Sequence, residues 1–146
     1  MRVWCAVPST LAPAGSSPRC VTITRTIVLA ERADGAARRM LEARGAELVE
    51  VGEGGLRAGL AALAARGLLD ILCEGGPTLA GALLAEGLID RVLLFVAPLI
   101  VGRGAPDLFA APAVGAVADA WRLHDVEWRP VCDDLLLSGS LTKSGV

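Results

Sequence analysis

Glu74-Gly75-Gly76-Pro77-Thr78 is the stretch whose residue types and order can do chemistry. It follows the apolar run Leu68 to Cys73 and precedes a run rich in Ala and Leu. Two adjacent glycines let a backbone turn tightly and let a ligand approach with no Cβ in the way. Pro77 suits the first turn of a helix. The free N–H groups and positive dipole end of such a helix form a physical site for a phosphate or pyrophosphate. Thr78 could add a hydroxyl donor, and Ala80 and Gly81 would let the helix sit close to a ligand or to a sheet. Glu74 would stand at a strand end, where a carboxylate can accept hydrogen bonds from a polar substrate or pair with the helix terminus. From these residues alone, phosphate binding and a plain strand-to-helix turn stay equally open.

Other chemistry is scarce. The chain has one histidine, His124, and one lysine, Lys143. A lone histidine on the strand-like stretch Trp121 to Trp128 reads as structural. Lys143 lies in a polar tail, away from any phosphate loop or Schiff-base setting. There is no GxSxG elbow for a serine nucleophile and no HxE/PCxxC pair for a zinc deaminase. Cys5, Cys20, Cys73 and Cys132 are scattered without a CxxC pair, so no metal site is read. Cys73, inside an apolar run, reads as a small buried hydrophobe. A chain this poor in nucleophiles and metal ligands is expected to leave reactive chemistry to a cofactor.

At 146 residues the chain has room for one domain. It is 53% hydrophobic and 21% charged, against about 45–50% and about 25% for an average globular domain. That excludes disorder. A net charge of −2 and a pI near 5.4 exclude a basic nucleic-acid binder. The densest apolar run, Val92 to Val101, is broken by Pro98 and is about half the roughly 20 residues a spanning helix needs. Pro8 and Pro13 interrupt the N-terminal apolar stretch too early for a signal peptide, so the cytoplasm is the default expectation.

The elements that must position the turn can be read from periodicity. Residues 1–25, with Pro8, Pro13 and Pro18, read as an irregular lead-in. Thr26–Ala30 reads as a buried strand. Asp34 can cap a helix from about Gly35 to Arg44, with Ala37, Met40 and Leu41 on one face and Gly45 as the stop. Strands follow at Glu47–Val51, Leu68–Cys73 and Asp90–Pro98. Helices are expected over Leu56–Arg66 and from Pro77 to about Glu86. Two strands, Trp121–Arg129 and Asp134–Thr142, then suit a hairpin. Alternating strands and helices indicate an α/β fold with a parallel sheet. Ligands in such sheets bind beyond the carboxyl ends of the strands, where Glu74-Gly75-Gly76 would lie.

The segment Ile71-Leu-Cys-Glu-Gly-Gly-Pro-Thr-Leu-Ala-Gly-Ala-Leu-Leu84 closely resembles a stretch of the reductase domain of bacterial riboflavin-biosynthesis deaminase–reductases. The likeness continues through Gly87–Arg91, Ala97–Gly102 and Gly104–Phe109, and Asp133–Leu137 looks like the family's last strand. It spans about residues 26–142. The resemblance implies a three-layer, dihydrofolate-reductase-like α/β fold with a mostly parallel sheet flanked by helices and a C-terminal antiparallel hairpin. It implies NADPH-dependent reduction of 5-amino-6-(5-phosphoribosylamino)uracil to the ribitylamino product. A hydride would pass from C4 of the nicotinamide to C1′ of the ring-opened sugar imine, with the protein supplying binding and orientation. Carried over by position, Glu74 matches a substrate-contacting glutamate. Gly76, Pro77, Thr78, Leu79, Ala80, Gly81 and Ala82 match the stretch that binds the NADP phosphates. No catalytic proton donor is assigned and no metal is expected. Ser9 aligns too poorly with a cofactor-contacting serine to be carried over. Arg32, after the first ordered strand, is where a 2′-phosphate contact could lie, although a solvated surface arginine is the simpler reading.

Residues 3–25 do not follow the family, whose domain begins with further strands. Residues 26–146 are therefore expected to form a partial, N-terminally truncated reductase domain. The alternative expectation is a non-catalytic nucleotide-binding remnant. A homodimer is expected, since the apolar surface of a partial domain needs cover. Neither nucleic acid nor membrane is expected as a partner.

Overall fold

The structure, a computed structural model, describes residues 2–7, 25–105, 107–111 and 114–142, with backbone alone for 2–7 and 142. The chain divides into two compact units, one of Met1–Leu11 and Leu69–Val146, the other of Ala12–Leu68. Each is a small α/β assembly.

The first unit is a five-stranded sheet in the order β4-β1-β5-β7-β6. Strand β1 is Arg2–Val7, β4 is Asp70–Cys73, β5 is Arg91–Val96, β6 is Arg122–Val131 and β7 is Asp134–Thr142. β1 lies parallel to both β4 and β5, with Cys5 opposite Cys73 and Val92. β7 then runs antiparallel to β5, and β6 antiparallel to β7. Helix α3, Pro77–Ala85, connects β4 to β5. The core of this unit is apolar and small-residue rich: Cys73, Ala80, Leu83, Leu84, Ile89, Val92 and Leu136 are all buried.

The second unit pairs β2, Thr26–Ala30, in parallel with β3, Ala46–Glu50. Helices α1, Gly35–Glu42, and α2, Gly55–Ala64, complete it. Leu48, Val49 and Leu60 are buried. A Cβ added at Gly59 would sit 3.1 Å from Leu29 Cδ1, so the absent side chain lets α2 approach β2 closely.

The chain termini of these helices follow their residues. Asp34 Oδ1 accepts a 2.7 Å hydrogen bond from the Ala37 amide, the N-cap expected of it. Gly87 adopts φ +64, and the amides of Gly87 and Leu88 return to the carbonyls of Leu84 and Leu83 at 3.0 and 2.9 Å. Gly67 closes α2 the same way, with bonds to Ala64 and Leu63 of 2.9 and 3.2 Å.

Three expectations change. Strand β1 occupies Arg2–Val7, inside the stretch read as an irregular lead-in; the run Val-Trp-Cys-Ala-Val carries residue types that favour strands, and the prolines after it mask that signal. Residues 8–24, with Ser9, fall outside the described residues. Among the described residues the alternating strands fall into two sheets, β2 and β3 pairing with each other. Met40 is 51% exposed: α1 buries no residue fully, and only Ala37, Arg38 and Leu41 along it are half-buried. The α/β class and the C-terminal hairpin are as expected, and the hairpin's turn falls at Cys132–Asp133.

Candidate functional site

The carboxyl end of β4 delivers Glu74, Gly75 and Gly76 to the amino end of α3. Glu74 is exposed, one residue beyond the buried Cys73. Gly76 is the N-cap of α3, with φ −67 and ψ 176, and Pro77 opens the first turn. The first helical hydrogen bond runs from the Ala80 amide to the Gly76 carbonyl, 3.1 Å. No side chain caps this terminus. Helix geometry therefore leaves the amides of Thr78 and Leu79 without intrahelical partners, at the positive end of the dipole.

The glycines of the turn differ in what surrounds them. A Cβ on Gly76 would meet nothing within 4 Å, so the space beyond it is open. A Cβ on Gly75 would lie 2.6 Å from Leu79 Cδ2. Gly81 is enclosed: a Cβ there would fall 2.5 Å from the carbonyl carbon and oxygen of Ala110. The Ala110 amide donates to the Pro77 carbonyl at 2.9 Å, so the segment after β5 returns to brace the first turn of α3. Sequence reading missed this brace. Its signal is Gly81, whose missing side chain serves the Ala110 backbone rather than a ligand or the sheet.

The stretch Gly76–Ala82 thus splits. Gly76, Thr78 and Leu79 are exposed at the open end, while Ala80 and Gly81 are buried and Pro77 and Ala82 half-buried. Elsewhere in the first unit, His124 is exposed on β6 opposite Ser140. Cys73 is a buried free thiol. Among the described residues no group of three or more His, Cys, Asp or Glu could hold a metal ion. No helix among them is long and apolar enough to cross a membrane.

The second unit carries a charged surface cluster. Glu47 on β3 accepts from Arg66 Nε at 2.9 Å and pairs with Arg25. The Arg66 and Arg25 hydrogen bonds hold its carboxyl below the ordinary value of 4.5. Arg32 follows β2 and is exposed.

Comparison with known proteins decides the family. The RibD C-terminal domain model matches residues 14–137. The chain belongs to the RibD C-terminal domain family. The riboflavin biosynthesis protein RibD of Escherichia coli (strain K12) is 42% identical over 67 residues, which are 46% of this chain and 18% of that protein. A 2,5-diamino-6-ribosylamino-4(3H)-pyrimidinone 5′-phosphate reductase of Methanothermobacter thermautotrophicus is 36% identical over 72 residues, 49% of this chain and 33% of that protein. The solved structure of Acinetobacter baumannii RibD superposes with a TM-score of 0.68 at 22% identity, covering 97% of this chain and 47% of that one. The chain spans less than half the length of each of these relatives. The RibD C-terminal domain match covers both α3 and the segment that braces it.

Proposed function

We propose that this chain is an NADPH-dependent reductase of riboflavin biosynthesis, acting on 5-amino-6-(5-phosphoribosylamino)uracil. The observation that carries the reading is the Glu74–Thr78 turn, with open space beyond Gly76 and an uncapped α3 terminus. Those features fit a dinucleotide phosphate. A Cβ-free approach path leads to two unspent amides and a helix dipole. The family match over residues 14–137 and the reductase name borne by the Methanothermobacter thermautotrophicus relative support the same reading.

When bound, NADPH supplies the hydride. The chain's residues bind and orient. The amides of Thr78 and Leu79 and the Thr78 hydroxyl would donate to cofactor phosphate oxygens. Gly76 keeps that approach clear. Ala80, Gly81 and Ala82 serve from beneath, by letting α3 pack tightly under the phosphate contact. Glu74, exposed at the strand end, would accept hydrogen bonds from hydroxyls of the sugar substrate and fix its orientation.

A cytoplasmic homodimer accompanies this reading. Cys73 is a free thiol, as reducing compartments maintain. Leu69 and Leu72 on the edge containing β4 are more than half exposed, an apolar surface suited to a second copy.

The test is a titration of the purified chain with NADPH, followed by cofactor oxidation in the presence of the pyrimidine substrate. Binding with turnover is expected. Binding without turnover would overturn the reductase assignment and leave a nucleotide-binding module.

A further inference from the structure

A recess lies on one face of the β5-β7-β6 part of the five-stranded sheet, which β1 separates from β4 and the Glu74–Thr78 turn. Its volume is about 360 Å³, within the roughly 300–1,000 Å³ of small-molecule sites. Arg91, Leu93, Glu127, Arg129, Leu136 and Ser138 line it. The strand register explains why these residues converge. Leu93, Ser138 and Glu127 stand opposite one another across the three strands, and Leu136 and Arg129 pair two residues along. Side chains alternate between the two faces of a sheet, so these five share one face. Arg91, two residues before Leu93, shares it too, and its Nη2 donates to Ser138 Oγ at 3.3 Å.

The floor of the recess is apolar and its rim is charged. Leu136 is buried and Leu93 half-buried. Glu127 and Arg129 are exposed, and among the described residues their side chains make no ion pair or hydrogen bond, even with each other. An inorganic anion would suit the two guanidiniums but leave Glu127 facing it. A divalent cation would suit Glu127 and be repelled by both arginines. A hydrocarbon would strip water from three charges and offer them no partner. A ligand that carries both signs on an apolar body satisfies every group. Strand rise sets Glu127 and Arg129 about 6–7 Å apart, so the two charges of the ligand must sit close together. An α-amino acid, whose ammonium and carboxylate share one carbon, meets that spacing.

We propose that this recess binds an α-amino acid with a large apolar side chain. Its carboxylate pairs with Arg129, with Arg91 adding positive charge from the facing strand. Its ammonium donates to Glu127, and its side chain lies over Leu93 and Leu136. The proposal is independent of the reductase reading, which concerns the other end of the sheet.

L-Phenylalanine, hydrocinnamate and phenethylamine share an apolar body and differ in charge. Each is titrated into the isotope-labelled full chain and followed by backbone amide shifts. L-Phenylalanine should move the amides of Leu93, Glu127, Arg129 and Ser138 to saturation. Hydrocinnamate lacks the ammonium and phenethylamine lacks the carboxylate, so each should bind on the order of tenfold or more weakly, as loss of a charge-assisted hydrogen bond does. Glu127→Gln should weaken L-phenylalanine and leave hydrocinnamate unchanged. Arg129→Gln should weaken L-phenylalanine and leave phenethylamine unchanged. Both side chains are exposed, so neither variant should disturb folding. Silence of these amides toward L-phenylalanine would overturn the proposal. Equal affinity for all three probes would do the same, as would L-phenylalanine binding that neither variant weakens.

Discussion

Gly81 and Ala110 meet backbone to backbone: a Cβ on Gly81 would lie 2.5 Å from the Ala110 carbonyl, where no flexible side chain can yield. Together with the Ala110-to-Pro77 hydrogen bond of 2.9 Å, this contact fixes the first turn of α3 against the segment that follows β5. Gly81→Ala should therefore cost about 1–3 kcal/mol, the range for overpacking a close contact. Urea unfolding checks it. The midpoint should fall with the slope unchanged, and amide exchange at Ala110 should accelerate.

Gly76 and Gly75 should respond differently to the same change. Gly76 has an ordinary φ and nothing within 4 Å of a new Cβ, so Gly76→Ala should shift stability by no more than about 0.5 kcal/mol. If the open space beyond it receives a cofactor phosphate, NADPH affinity should nevertheless drop, measured by fluorescence titration. Gly75→Ala puts its Cβ 2.6 Å from Leu79 Cδ2 and should lower the unfolding midpoint unless Leu79 changes rotamer.

Glu74→Gln keeps the size of the side chain and removes its charge. Under the proposed function it should reduce kcat/KM for the pyrimidine by about 10–100-fold, the loss of a charged hydrogen-bond acceptor. NADPH affinity should stay near wild type. An equal fall in both would place Glu74 in general folding rather than in substrate orientation.

The strand-to-helix turn was legible because each of its residues has a local physical role: two glycines, then a proline where a helix must begin. Asp34 and Gly87 were legible for the same reason, as caps whose partners lie within a few residues. What escaped was non-local. The pairing of β1 with β4 and β5 joins residues about 70 and 90 positions apart, and no period within Arg2–Val7 reveals its neighbours. The brace from Ala110 to Pro77 joins residues 33 positions apart, a shorter gap but still beyond any local period. The division into two sheets is likewise a matter of which edges meet, a choice that alternating helices and strands do not settle.

Glu47 gives the second unit an acid sensitivity. Its folded carboxyl titrates below the ordinary value of 4.5 because Arg66 and Arg25 bond to the charged form. A depressed folded value adds stability above the unfolded value, and that stability disappears as pH falls through the folded one. Unfolding midpoints measured from pH 7 down to about pH 3 should decline more steeply in wild type than in Glu47→Gln. The difference should shrink in high salt, because the cluster lies at the surface.

Asp34→Ala removes the 2.7 Å acceptor of the Ala37 amide and should cost about 1 kcal/mol. Asp34→Asn or Asp34→Ser should recover most of it, checked by thermal unfolding. Recovery would trace the loss to the cap rather than to a charge.

Strand β6 is one of the two outer strands of the five-stranded sheet. Its register slips between His124 and Glu127, with Asp125 at φ +50, and Pro130 has no amide to offer. Arg122, Glu127 and Arg129 stand exposed along it. A second β-ribbon approaching this border would meet a bent backbone, a missing donor and charges of both signs. The irregular border thus opposes open-ended strand addition at this edge.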